Sequence, residues 1–385
     1  MKFSIPLLFF TICFMYLALF TAKAVYLNKT VYGDGVYYYS WLHSPAIDHD
    51  VSFQNEYDRL GGKQPPTPLG AVGNVYPIGP AIFWTPFYLP LQMLLGGDGY
   101  SFLYQYITGA VSCLYAIAGL IFLYRLLAKY FSEEVSALTI IGIAFGTNLF
   151  FYGSLDTVNS HSFSFFVATI LLTLIMQKNS LVLIGLCTGV LSLMRTQDAI
   201  FLLLSFPIII NSIGEQNRRS AIILQVRNIL MLIAGFIVGF LPQLVAWQVV
   251  YGTFTRSPYM DSYHYFNFFR PHLVEVLFST NSGLFFWTPL TALCLLGIFY
   301  KGKISGIQKT FFVLLFIVQW FLIASWSFWW QGESYSGRMF ISLLPILSIG
   351  LGNILSRQYS LTRWTIVSLF SVANAGAIVY FLATH

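Results

Sequence analysis

The feature that most constrains the fold is a series of long apolar runs that covers most of the 385 residues. Runs of about 17 or more apolar residues are long enough to cross the hydrocarbon core of a bilayer as helices. Hydrophobic residues make up 57% of the chain and charged residues only 9%, whereas about a quarter of the residues of a soluble domain are charged. The composition therefore excludes a soluble globular protein and predicts an all-α integral membrane protein.

The apolar segments predict about eleven transmembrane helices in a single membrane domain, residues 1–385. They fall near residues 5–26, 102–124, 135–153, 160–177, 180–194, 199–212, 221–249, 284–300, 308–328, 339–356 and 364–383. A further segment, 78–96, contains Pro80, Pro86 and Pro90, and lipid cannot replace the hydrogen bonds that interior prolines remove. We expect an interfacial or re-entrant pair of short juxtamembrane helices there.

The charges predict the orientation of these helices. If 5–26 spans and 78–96 does not, 12 of the 20 cationic residues lie on one side and 11 of the 14 acidic residues on the other. Cytoplasmic loops carry the excess of Lys and Arg, so the N-terminus is predicted inside, and 27–101 and 250–283 are predicted to be long extracytoplasmic loops. The scattered cations indicate topology and no nucleic-acid partner.

The first of these loops is unusually acidic. Five of the 14 acidic residues lie within 25 positions of it. Asp34 stands between Gly33 and Gly35, which allow a tight turn and a close approach of a ligand. A carboxylate at the membrane boundary can act as a general base towards a hydroxyl or amine. A turn or a helix cap is the alternative role for this pattern.

Asp48 and Asp50 flank His49 in the same loop. Two carboxylates and an imidazole suit a divalent cation, with Mg²⁺ or Mn²⁺ preferred over zinc. A solvated polar turn is the alternative interpretation.

Two further polar residues, Asp156 and His161, lie in a short connection on the same predicted face. Charged groups near lipid are costly and are usually tied to function. The alternative is a helix cap formed by Asp156 or Asn159.

Two arginines lie outside the compartment that the other cations predict. Arg195 interrupts an apolar stretch, and Arg338 follows an aromatic segment that starts at Trp326. The planar guanidinium group of arginine matches phosphate oxygens. For Arg338 the alternative is a buried ion pair with Glu333, and for the tryptophans it is an interfacial aromatic belt.

The later loop, 250–283, combines aromatic and cationic residues. Tyr263, His264 and Arg270 make it a candidate lid or substrate-contact segment.

Three stretches together resemble the polytopic GT-C glycosyltransferases, the fold of protein O-mannosyltransferases and aminoarabinose transferases. They are the acidic first loop with Gly33-Asp34-Gly35, then Gly153-Ser154-Leu155-Asp156 followed by Ser160-His161-Ser162-Phe163, and Trp329-Trp330-Gln331-Gly332 running on to Gly337-Arg338. The general layout covers nearly the whole chain, and the third stretch is the most specific.

The resemblance implies transfer of a sugar, with inversion, from a polyprenyl-phosphate donor to a glycan, lipid or protein acceptor. The reaction would take place on the extracytoplasmic face of the cytoplasmic (inner) membrane. Asp34 would be the base, and Asp156 with Asp48 or Asp50 would orient a divalent cation or the acceptor. The donor phosphate would be held by Arg195 and Arg338, alongside His161 and Glu333.

Two other classes of protein fit the composition. A transporter or flippase would place polar residues in the middle of several spans, whereas here they crowd one predicted face. An O-antigen ligase or polymerase would rely on arginine and histidine in a large late loop, for which 250–283 is the candidate.

Overall fold

The computed structural model describes residues 4–211, 218–254 and 264–384. These residues form helices and loops, with two isolated β-bridges and no strand, which confirms the all-α prediction. The α-helices are α1 (Ile5–Leu27), α2 (Asp34–His43), α3 (Gln54–Leu60), α4 (Gly79–Leu95), α5 (Phe102–Leu127), α6 (Glu133–Gly146), α7 (Leu149–Ser154), α8 (His161–Met176), α9 (Leu181–Met194), α10 (Phe206–Asn211), α11 (Arg218–Tyr251), α12 (Leu273–Phe278), α13 (Leu284–Trp287), α14 (Leu290–Ile298), α15 (Gly306–Ser325), α16 (Leu344–Leu355) and α17 (Ser360–Thr384). A π-helical turn covers Ser44–Asp48, and 3₁₀ segments cover Thr196–Ser205 and Arg338–Leu343.

Among the described residues, six helical segments are long and apolar enough to cross a membrane. They are Ile5–Leu27, Phe102–Leu127, Ile222–Tyr251, Gly306–Ser325, Arg338–Leu355 and Ser360–Thr384. Three shorter apolar helices, His161–Met176, Leu181–Met194 and Thr196–Asn211, add to them. The structure thus supports a membrane protein, and the predicted count of about eleven spans is not confirmed.

Breaks inside predicted spans account for part of the difference. The apolar run 135–153 is interrupted at Thr147, whose backbone is extended, so that α6 and α7 are separate helices. The side-chain amide of Asn374 on α17 donates hydrogen bonds to the carbonyl oxygens of Phe145 and Thr147, at 2.8 and 3.0 Å. The polar groups freed by the break therefore have a partner inside the bundle, as an apolar environment requires.

The segment 78–96 forms one helix, α4, so the expected pair of short helices was wrong. Pro80 lies in the first turn, where its missing N–H costs no helical hydrogen bond. Pro86 and Pro90 are inside the helix and four residues apart, so they lie on the same face and the hydrogen bonds of the other faces continue the helix.

The centre of the bundle is α16, all twelve residues of which are buried. By contrast α1, α11 and α17 expose many of their large apolar side chains, including Phe10, Phe14, Ile223 and Val372. Exposed apolar surface of this extent is unfavourable in water, and it suits helices that face lipid.

Glycines set the spacing of α9 and α11. Gly185 and Gly189 on α9 face Gly235 and Gly239 on α11, and a Cβ atom at any of the four would overlap a backbone carbonyl oxygen of the opposite helix. Small residues four positions apart allow the backbones of membrane helices to approach closely. This contact fixes the end of α9, where Arg195 follows.

Candidate functional site

Asp34 is the first residue of α2, and the two neighbouring glycines serve different purposes. Gly33 has a φ of 54°, which glycine adopts readily. A Cβ at Gly35 would lie 2.7 Å from the carbonyl oxygen of Val158, so this glycine lets α2 pack against the loop that carries Asp156. The carboxylate of Asp34 is placed in the first turn of a helix, where negative charge is favourable.

The carboxylate of Asp34 forms an ion pair with Arg338, with 2.7 Å between Oδ2 and Nη1. Its other oxygen accepts a hydrogen bond from the hydroxyl of Tyr76 at 2.8 Å. Both side chains are partly exposed, at 29% for Asp34 and 19% for Arg338. Glu333, by contrast, is exposed, so the carboxylate that pairs with Arg338 comes from the first loop and not from the neighbouring sequence.

Arg338 begins a 3₁₀ segment and is held by the aromatic stretch before it. Its Nη2 donates to the carbonyl oxygen of Gln331 at 2.8 Å, and Gln331 has a φ of 61°. The side chain of Gln331 also accepts from the backbone N–H of Met339. The Nε of Arg338 is buried without a partner among the described residues, so one N–H group of the guanidinium remains available to donate a hydrogen bond to a ligand.

Asp156 lies beside this ion pair. The Tyr32 hydroxyl, which donates to the carbonyl oxygen of Leu155 at 3.3 Å, lies near its carboxylate, and the charges of Lys23, Arg338 and Asp34 act on it. Burial raises the pKa of Asp156, and the charge of Asp34 raises it further, whereas Lys23 and Arg338 oppose the shift. At the start of α8 the side-chain oxygen of Asn159 accepts a hydrogen bond from the backbone N–H of His161, the first residue of the helix, at 2.8 Å. The Asp156 carboxylate is therefore not the helix cap.

Arg195 and His161 form a second pair close to the first. The Nη1 of Arg195 donates to Nδ1 of His161 at 3.1 Å, and the imidazole packs on the ring of Tyr152 with 4.4 Å between centroids. A guanidinium can only donate, so Nδ1 of His161 is the acceptor. Arg195 lies in extended backbone between α9 and a 3₁₀ segment.

A cavity of about 300 Å³ opens beside Arg195. It is mostly apolar, and its walls include Tyr38, Met194, Phe266, Trp326 and Met339. The Tyr38 hydroxyl donates a hydrogen bond to the Ser160 hydroxyl at 3.1 Å, and the charges of Arg195, Asp34 and Arg338 act on it. Because Met339, the residue after Arg338, also lines the cavity, the cavity is close to the Asp34–Arg338 pair.

The three predicted metal ligands do not share one site. Asp156 lies in the centre just described, whereas Asp50 accepts hydrogen bonds from the Ser44 hydroxyl and the Ser52 N–H. Asp48 approaches His43 at 3.2 Å. The pattern Asp48-His49-Asp50 does not form a cluster, because His49 has a φ of 58° and turns the chain between the two carboxylates.

The late loop packs on the aromatic stretch. The ring of His264 stacks on that of Phe328 with 4.9 Å between centroids, and Phe266 pairs with Trp326 in an isolated bridge. Arg270 is exposed, and Tyr263 lies outside the described residues. The part that is described covers one wall of the cavity.

Sequence reasoning missed several residues that hold the centre together. Tyr76, Tyr32 and Gln331 carry no pattern that separates them from the other tyrosines and glutamines of the chain. Lys23 could have been recognised from the sequence, because it is a cation at the end of the first apolar segment that leads into the acidic loop. However, the tripeptide Ala22-Lys23-Ala24 also resembles a signal-peptide cleavage site.

Comparison with known proteins gave no match: no family model, curated protein or solved structure is significantly similar to the chain. The resemblance to GT-C glycosyltransferases stays a prediction.

Proposed function

We propose that the protein is a membrane glycosyltransferase that moves a sugar from a polyprenyl-phosphate donor to an extracytoplasmic acceptor. The observation that carries the proposal is the Asp34–Arg338 ion pair next to an apolar cavity that contains Arg195. A lipid-linked sugar phosphate is complementary to this arrangement. Its apolar chain suits the cavity, its anionic phosphate suits the arginines, and its sugar would be transferred to an acceptor that Asp34 deprotonates.

The charges of the centre favour an anionic ligand. Lys23, Arg195 and Arg338 supply three positive charges, and the facing carboxyl groups are those of Asp34, Asp156 and Asp198. Burial raises the pKa of Asp156, which favours its neutral form and leaves the cations in excess. The unpaired Nε of Arg338 offers a further donor. Guanidinium groups bind phosphate oxygens through several parallel hydrogen bonds, so both arginines can bind the phosphate of the donor.

In the proposed reaction the acceptor hydroxyl attacks the anomeric carbon of the sugar. Asp34 takes the hydroxyl proton, a new C–O bond forms, and the bond between the anomeric carbon and the phosphate oxygen breaks with its electron pair on the phosphate. A single displacement inverts the anomeric centre. The arginines stabilise the negative charge that develops on the departing polyprenyl phosphate.

Two features support an extracytoplasmic site in the cytoplasmic membrane. The first loop and the residues around Asp34 are acidic, whereas the connections that carry most cations lie elsewhere in the sequence. Cations mark the cytoplasmic side, and this rule supports a position of Asp34 on the opposite face. The acceptor, whether glycan, lipid or protein, would approach from that side.

The Asp34→Asn variant tests the proposal. We expect the transfer rate to fall by about 100-fold or more, because an amide cannot accept the proton, while the variant still binds the membrane and unfolds at a similar temperature. The assay follows transfer from a set of polyprenyl-phosphate sugars by the purified protein in nanodiscs.

The matched control is Asp58→Asn, which alters an exposed acid of the same loop. Among the described residues Asp58 accepts a hydrogen bond from Gln54, and the variant should keep the full rate. His264→Ala separates the proposal from a ligase-type mechanism, which would depend on the late loop. Full activity of Asp34→Asn together with loss of activity in His264→Ala would refute the assignment of Asp34.

A further inference from the structure

A second polar cluster lies at the other end of α2 from Asp34. Nδ1 of His43 is 2.9 Å from Oε1 of Glu56 and 3.2 Å from Oδ2 of Asp48, and a donor atom from each of the three lies within 4.8 Å of the others. His43 and Glu56 are almost completely buried, with 1% and 0% of their side chains exposed, and Asp48 is 28% exposed.

The second nitrogen of His43 shows how the ring is oriented. Its Nε2 is 2.7 Å from the carbonyl oxygen of Asp98. A carbonyl oxygen can only accept a hydrogen bond, so Nε2 carries a proton. Histidine ligands of metals commonly donate their other N–H to a backbone carbonyl in this way. Nδ1 faces the two carboxylates, so either a proton on Nδ1 or a cation must lie between these atoms.

The buried carboxylate of Glu56 lacks a partner for one of its oxygens. Oε1 contacts His43, but Oε2 is buried and has no hydrogen-bond partner among the described residues. A buried, unsatisfied carboxylate oxygen is costly. A protonated His43 would also leave two carboxylates opposite one positive charge, whereas a divalent cation with a neutral imidazole balances the charge.

We infer that His43, Asp48 and Glu56 bind a divalent transition-metal ion, Zn²⁺ or Mn²⁺. The distances from Nδ1 of His43 to Glu56 and Asp48, 2.9 and 3.2 Å, are close to the separation of about 3.0–3.4 Å between ligands that each lie about 2.1 Å from a metal. The sequence pattern predicted Mg²⁺ or Mn²⁺ over zinc, but the ligand that the structure adds is a buried imidazole nitrogen, which suits a transition metal better than Ca²⁺ or Mg²⁺. Between the two transition metals, nitrogen and oxygen ligands bind Zn²⁺ more tightly than Mn²⁺.

The metal acts on the position of α2 and not on the reacting atoms. Asp34 and His43 are the first and last residues of α2, which places them about 14 Å apart at the rise of an α-helix. The ion would join the end of α2 to the π-helical turn that contains Asp48 and to α3, which contains Glu56. It would thereby fix the helix that presents Asp34.

Metal uptake by the purified full-length protein tests this inference without reference to activity. The protein is stripped with a chelator, then titrated with Zn²⁺ or Mn²⁺, and bound metal and unfolding temperature are measured. We expect about one equivalent of Zn²⁺ per chain, a higher unfolding temperature, and at least tenfold weaker binding of Mn²⁺. Asp48→Asn and Glu56→Gln should each weaken Zn²⁺ binding at least tenfold.

Two variants serve as controls. Asp58→Asn changes an exposed acid next to the cluster and should bind Zn²⁺ as the wild type does. Asp34→Asn should also bind Zn²⁺ normally, so a failure of the proposed transferase function would leave the metal result intact. If the wild type takes up no Zn²⁺ or Mn²⁺, or if Asp48→Asn and Glu56→Gln fold and retain wild-type uptake, the cluster is a histidine–carboxylate ion pair and the inference is wrong.

Discussion

Arg338 joins parts of the chain that are far apart in sequence. Its guanidinium contacts Asp34 through Nη1 and the carbonyl oxygen of Gln331 through Nη2. If the donor phosphate binds Arg338 as proposed, it would compete with Asp34 for the guanidinium. Binding of the phosphate would then release the carboxylate to act as a base.

This exchange predicts a specific effect of Arg338→Lys. An ammonium keeps the positive charge but cannot bond Asp34, Gln331 and a phosphate with the same fixed geometry. We expect the transfer rate to fall by about 100-fold or more, measured as initial rates with saturating donor in nanodiscs.

The chain offers a matched control for this substitution. Arg363 pairs with Glu134 at 2.6 Å in a comparable geometry, away from the Asp34 centre. Arg363→Lys should keep the wild-type rate. Equal losses in both variants would show that the effect of Arg338→Lys is one of general stability and would count against its role in phosphate binding.

At the scale of helices and loops, the polar residues of the centre lie where regular helix begins or stops. Asp34 starts α2, Arg195 follows the last residue of α9, and Arg338 begins a 3₁₀ segment. Backbone groups at such points lack the hydrogen bonds of a continuous α-helix. Membrane proteins tolerate them only where protein or a polar cavity provides partners, so the interruptions and the site occur together.

The packing of α9 against α11 should be sensitive to residue size. In Gly235→Leu the new side chain would overlap the backbone of α9, and we expect the free energy of unfolding to fall by about 1–3 kcal/mol or more. Because α9 leads directly to Arg195, the substitution should also weaken binding of the lipid-linked donor. Thermal unfolding in detergent and donor-binding titrations measure the two effects.

Gly376→Leu is the control for this prediction. Gly376 lies in α17, and no atom lies within 4 Å of a Cβ built there, so a leucine should fit without loss of stability. Similar unfolding temperatures for Gly235→Leu and Gly376→Leu would contradict the close contact between α9 and α11.

At the scale of the whole molecule, two polar regions lie at opposite ends of the bundle. α5 begins beside Thr30, whose hydroxyl donates to the carbonyl oxygen of Gln105 at 2.6 Å, and its 26 residues extend about 39 Å. Beyond its far end, Glu134 pairs with Arg363. A helix of this length is sufficient to cross a bilayer, so the Asp34 centre and the Glu134–Arg363 pair lie towards opposite ends of α5.

The orientation can be tested with single introduced cysteines. Asp58 and Lys129 are both exposed, and the four natural cysteines lie within apolar helices. We expect a membrane-impermeant maleimide to label Asp58→Cys on spheroplasts, whose cytoplasmic membrane is intact and accessible from outside. Lys129→Cys should be labelled only after that membrane is permeabilised. Label on Lys129→Cys in intact cells, with none on Asp58→Cys, would place Asp34 on the cytoplasmic face.

Part of the site could be predicted from single residues. Asp34, Asp156, Arg195 and Arg338 stand out because a charged group near lipid is costly, and the structure brings all four to one region. Their partners could not be predicted in the same way. Tyr76 and Gln331 are ordinary polar residues in sequence, and they become part of the centre only through contacts with segments far along the chain.

The predicted divalent-cation site stays a prediction, and the structure changes only which side chains surround Asp48. Local spacing pointed to Asp48 and Asp50, but His49 turns the backbone so that Asp50 bonds its own loop. The cluster draws its other members from α2 and α3 instead. Spacing along a loop does not give the direction of side chains, which depends on how the loop folds back.

The sequence by itself determined that the protein is helical and lies in a membrane, because the length and polarity of each segment decide whether that segment is stable in lipid or in water. It also identified the charged residues near lipid, because a charged group there costs free energy and is usually retained for a function. Only the tertiary structure decided where helices break, which carboxylate meets Arg338 and which side chains surround Glu56. Those outcomes depend on contacts between distant segments, since a freed backbone group or a buried charge is stable only where another part of the chain supplies its partner.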